Sequence, residues 1–125
     1  MRRIIALAAL ALSGAAAGCQ TPMPPQVDAR IDARGTEPFW AVRVRDAQVT
    51  LIRPEQPDLS APAQRRTEGG ASVWSGRTAD GRTLTLRVWP QACSDGMSDL
   101  AYPMAAEVSL TGREVLKGCA APARG

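Results

Sequence analysis

Histidine is missing from all 125 residues of the chain. Its absence excludes a Ser-His-Asp or Cys-His nucleophilic device, an imidazole general base and a His-containing zinc site. Cysteine is scarce. Three thiols are too few for an all-cysteine tetrahedral zinc site, and an odd number cannot all pair within one molecule. The aromatic residues are three tryptophans, one tyrosine and one phenylalanine. No basic run exceeds Arg65-Arg66, and no aromatics interleave with it, so the sequence lacks a nucleic-acid footprint. Nothing in it calls for a cofactor. The length suits one domain and not two.

What is present first is an export signal. Arg2 and Arg3 form a positive n-region, Ile4 to Leu12 an unbroken apolar run, and Ser13 to Gly18 a stretch of small residues. The uncharged run from Ile4 to Gly18 falls short of the ~20 residues a spanning helix needs. Ala16-Ala17-Gly18-Cys19 resembles a bacterial lipobox, which implies that Cys19 is lipidated and becomes the first mature residue. Ala16 stands where the usual pattern has a larger aliphatic residue. Lipidation also removes an otherwise unpaired thiol from an oxidising compartment. Gln20 after the cysteine, by resemblance to enteric lipoproteins, implies delivery to the outer membrane, facing the periplasm. Removing Arg2 and Arg3 from the formal charge of +3 leaves +1 for the mature chain, so the basicity belongs mostly to the signal.

The remaining chain divides into a lipidated, Pro-rich tether over 19–34, a single β domain over 35–121 and a disordered end over 122–125. Pro22, Pro24 and Pro25 favour an extended tether at ~3.1 Å per residue. Within the domain, Phe39 to Arg45 alternates, with Trp40, Val42 and Val44 on one face, and a turn at Asp46-Ala47 sets Val44 opposite Val49 and Val42 opposite Leu51. A polar edge strand near Gln64 to Thr67 returns through Glu68-Gly69-Gly70 into Ala71 to Gly76. The next hairpin, turning at Ala79-Asp80-Gly81, sets Trp74 opposite Leu86 and Gly76 opposite Leu84. Pro90 to Pro103 breaks the strand pattern. In the last hairpin, around Thr111-Gly112, the spacing leaves open whether Val115 or Leu116 faces inward. These patterns predict an all-β domain, a small antiparallel meander barrel or sandwich of about six to eight short strands.

With Cys19 spent on lipid, Cys93 and Cys119 are the remaining thiols, and the compartment predicts a disulfide between them. No Cys-X-X-Cys spacing points to redox activity. The densest polar motif is Cys93-Ser94-Asp95-Gly96-Met97-Ser98-Asp99, followed by Tyr102-Pro103. Asp95 and Asp99 do not match a calcium-loop spacing, so no metal is assigned; the serines and aspartates are expected to hold a tight loop by bonding its backbone amides. Glu37, beside Phe39 and Trp40, is a second candidate acid. Candidate binding residues are therefore Glu37, Phe39, Trp40, Asp95, Asp99 and Tyr102, with no catalytic residue assigned.

Gly35-Thr36-Glu37-Pro38-Phe39-Trp40, the Asp80-Gly81-Arg82 turn, the Cys93 to Asp99 motif with Tyr102-Pro103, and Gly118-Cys119 together resemble a family of uncharacterised bacterial envelope lipoproteins. The resemblance spans about Gly35 to Ala120 and implies no activity of its own. The family's context is similar to META-type lipoproteins and to membrane-bound inhibitors of C-type lysozyme, which are small disulfide-bonded β-barrels. Those inhibitors use a serine-glycine-rich loop and a lysine; here Ser72 to Arg77 is the nearest stretch, and Lys117 is the sole lysine. The sequence thus predicts a non-enzymatic, membrane-anchored envelope module whose partner is an envelope protein or a cell-wall component. The alternatives are an inhibitor of lysozyme or another muralytic enzyme, and a glycan hydrolase using Glu37 with Asp95 or Asp99.

Overall fold

A computed structural model describes residues 30–96 and 101–123. The signal, Cys19 and most of the tether lie outside the described residues, as does Asp99. Among the described residues there are nine strands and no helix. They are β1 (Arg30–Thr36), β2 (Phe39–Arg45), β3 (Gln48–Ile52), β4 (Leu59–Pro62), β5 (Gln64–Glu68), β6 (Ala71–Arg77), β7 (Thr83–Ser94), β8 (Ala101–Leu110) and β9 (Leu116–Pro122). All pair antiparallel in one sheet of order β4-β3-β2-β1-β9-β8-β7-β6-β5.

The sheet curls into a barrel-like roll. Its two edge strands, β4 and β5, are consecutive in the chain and joined only by Ala63, whose N–H donates to the Ala47 carbonyl at 2.8 Å. One bent course of chain therefore serves both edges. Gly76 of β6 passes so close to Pro62 that a Cβ built on it would lie 1.9 Å from the Pro62 oxygen. β5 is exposed along its whole length and carries Arg65, Arg66 and Glu68, charges that discourage pairing with another chain.

Alternation fills the interior. Val42 and Val44 of β2, Val49 and Leu51 of β3, Trp74 of β6 and Leu84, Leu86 and Val88 of β7 form one buried cluster with Trp40. Val44 pairs with Val49 and Val42 with Leu51. Trp74 pairs with Leu86 and Gly76 with Leu84, with Gly81 left-handed at φ 85°. These are the expected registers, because only they put both apolar faces inside. In the last hairpin the open choice falls to Leu116, which pairs with Val108, while Val115 is exposed.

Three expectations are corrected. β1 begins at Arg30, inside the stretch assigned to the tether, and pairs with both β2 and β9. Its inward residues are only Ile31, Ala33 and Gly35, too small an apolar signal to read from sequence. β9 extends through Pro122, where a disordered end was expected, and the Ala123 N–H donates to the Arg30 carbonyl at 3.0 Å. Within the Pro90 to Pro103 segment, where a break was expected, β7 runs on to Ser94 and β8 begins at Ala101. A register shift between Pro90 and Cys93 interrupts the ladder there, and a bulge is where a strand tolerates proline.

Candidate functional site

Beyond the bulge, the described residues at the far ends of β7 and β8, 93–96 and 101–102, form a tip that lies against the outer side of β9 and β1. Cys93 forms the expected disulfide with Cys119, at a Cα–Cα distance of 5.6 Å. Cys119 alternates with the inward Ala120 and so faces outward, yet is 1% exposed, because the tip covers it. Arg34 donates to the Tyr102 hydroxyl at 3.4 Å, and that hydroxyl donates to Asp95 Oδ2 at 3.2 Å. The Thr36 hydroxyl donates to the Asp95 carbonyl at 3.3 Å, and the Gly96 N–H donates to Ser94 Oγ at 3.2 Å. The motif Cys93-Ser94-Asp95-Gly96 thus spends its polar groups on loop shape and on docking the tip to β1, as expected for Ser94. A small depression of about 270 Å³ lies between Arg34, Thr36, Asp95 and Lys117.

The candidate residues therefore separate. Asp95 and Tyr102 meet in the docked tip. Trp40 is 1% exposed and belongs to the core, so it has no surface to offer a ligand. Its ring sits where Gly35 and Gly118 leave room: a Cβ on Gly118 would lie 2.8 Å from the indole. Glu37 is exposed in the turn between β1 and β2, before a cis proline, and does not line the depression that Asp95 lines. Ser72 to Arg77 forms most of β6, paired by β7 throughout and by β5 as far as Ser75, so it is a strand and not a loop. Among the described residues no group of three or more His, Cys, Asp or Glu side chains is placed to hold a metal ion.

A meander puts alternate connections at the same end of a barrel. The β1–β2, β3–β4 and β8–β9 connections share one end here, and between them lies a cleft of about 480 Å³. Its lining is Pro38, Phe39, Arg53, Pro54, Gln56, Arg113, Glu114 and Leu116. Phe39 is 50% exposed and Val115, between two lining residues, 52%. They are the large apolar side chains the described surface leaves open. Of the residues at this end, only Phe39 and the neighbouring Glu37 stand out in the sequence. Arg53 and Arg113 were missed, although Arg53 directly follows β3 and Arg113 lies in the β8–β9 connection, and a meander brings these connections to one end.

Another depression, of about 560 Å³, lies on the outer face beside Arg87, Trp89 and Glu107. Trp89 is the one tryptophan outside the core; its Nε1 donates to Gln91 at 2.8 Å, and the Arg87 guanidinium lies 5.9 Å from its ring centre. Its polar edge and one face are thus already occupied.

No family model, curated protein or solved structure matches the chain.

Proposed function

We propose that the protein is a lipid-anchored module of the bacterial envelope, held through Cys19 to the outer membrane and facing the periplasm, that binds an envelope protein or cell-wall component without catalysing a reaction. The observation that carries this reading is the pair of exposed apolar side chains, Phe39 and Val115, beside one cleft at the connection-rich end of the barrel. Apolar groups grouped at a rim of polar residues are the usual mark of an interaction surface. The disulfide suits an oxidising compartment.

Orientation supports the same reading. β1 starts at Arg30 at the end opposite the cleft, since Phe39 opens β2, Arg53 follows β3 and Leu116 opens β9. A tether entering there leaves the cleft directed away from the lipid surface. Of the two carboxylate pairs considered, Glu37 with Asp95 is disfavoured because Glu37 lies off the depression that Asp95 lines, and Asp99 lies outside the described residues.

The test is affinity capture from envelope extracts with the full mature protein and with a Phe39→Ser/Val115→Ser variant. The expected result is a specific partner held by the first and lost by the second; an identical retained set would overturn the reading. Separately, Cys19→Ser should abolish incorporation of labelled fatty acid and release the protein from membranes.

A further inference from the structure

Arg53, directly after β3, buries its Nε with no hydrogen-bond partner. A guanidinium donor taken out of water without an acceptor costs folding free energy, and native structures hold few such groups. Three other arginines form ion pairs: Arg45 with Asp32, Arg66 with Glu68 and Arg82 with Asp80. Arg53 and Arg113, both lining the cleft at the barrel end, enter no ion pair among the described residues.

The rest of the lining narrows the ligand. Glu114 is its one acid, so the two arginines leave the lining with a net charge of +1. That favours a monoanion over a dianion, which Glu114 would repel. Pro38, Phe39, Pro54 and Leu116 supply an apolar wall next to the cations. The volume of about 480 Å³ lies in the range of small-ligand sites. A planar guanidinium holds a carboxylate through two parallel N–H bonds.

We propose that this cleft binds the C-terminal carboxylate of a peptide ending in an apolar residue, the carboxylate on Arg53 and Arg113 and the side chain on the Phe39–Pro54–Leu116 wall. The proposal rests on the reading of this end as the recognition surface and gives that surface its ligand class. Arg53 is then a specificity residue, its guanidinium charge paired with the carboxylate in the complex.

The test is a titration of the ¹⁵N-labelled full chain with N-acetyl-phenylalanine, N-acetyl-phenylalanine amide and inorganic phosphate, following the Arg53 Nε–Hε cross-peak. The acid should shift that peak and saturate with a Kd of about 1 mM or tighter. The amide and phosphate should leave it in place. Arg53→Gln and Arg113→Gln should each weaken binding about tenfold. Arg53→Met should unfold at the same temperature as the parent or higher, because it removes an unpartnered donor. A stationary cross-peak, equal binding of the amide or phosphate, or unchanged affinity in the arginine variants would overturn the proposal. Loss of envelope capture in Phe39→Ser/Val115→Ser together with no binding of the acid would overturn this ligand class alone and leave the docking surface standing.

Discussion

The indole of Trp40 lies against Gly35: a Cβ built on that glycine would sit 2.0 Å from Nε1 and 2.8 Å from the Lys117 carbonyl oxygen. The largest side chain of β2 thus packs against bare backbone of β1 and β9. Gly35→Ala must displace either the ring or the backbone. Overpacking of this kind costs roughly 1–3 kcal/mol, and each kcal/mol lowers the unfolding midpoint of a domain this size by about 4–8 °C. In a Trp40→Phe background, which removes Nε1, Gly35→Ala should cost less. Thermal unfolding of the double-mutant cycle measures the coupling; additive effects would contradict the packing argument.

Gly76 makes the same argument for closure of the roll. Its missing side chain admits the Pro62 carbonyl, so Gly76→Ala should separate β4 from β6. The expected result is increased binding of a hydrophobic dye and faster amide exchange in β4 and β6, with β8 and β9 little changed.

The disulfide joins residues 26 apart in sequence. On the chain-entropy model a loop of that size contributes roughly 3–4 kcal/mol. Replacing Cys93 and Cys119 by serine should lower stability by about that amount in denaturant unfolding. Amides of residues 93–96, 101 and 102 should also lose protection more than the barrel strands do, since the covalent tie to β9 is gone while the hydrogen bonds to Thr36 and Arg34 are long.

Acid should loosen the β6–β7 hairpin through Asp80. The Arg82 guanidinium and the Thr78 hydroxyl bond its carboxyl and hold it well below the ordinary value of 3.8. A carboxylate with a depressed folded pKa stabilises fully above its unfolded pKa, and that contribution is lost as pH falls below it toward the folded value. Stability measured from pH 5 downward should therefore fall more steeply for the parent than for Asp80→Asn. The difference should shrink in high salt because Asp80 is exposed.

Local pattern made some of this architecture readable in advance. The β2–β3 and β6–β7 hairpins follow from alternation at Val42, Val44, Leu84 and Leu86 and from turn residues able to take positive φ, Asp46 at 55° and Gly81 at 85°. β1 and β4 escaped because each buries few and small side chains, so periodicity had little to register. The cleft escaped for another reason. Arg53 and Arg113 are 60 positions apart, and only the pairing of β1 with β9 makes their loops neighbours. The motif around Asp95 was conspicuous in sequence, and what it encodes is the attachment of a hairpin tip.

The contact of β1 with β9 also orders events in time. The first and last strands of the domain are partners, so a chain that ends before Leu116 has nothing to pair with the outer side of β1. Closure waits for the final strand, and so does Cys119, which must arrive before Cys93 can find it. Contacts this distant in sequence form slowly. A nascent chain therefore leaves that edge of β1 unpaired until it is nearly whole.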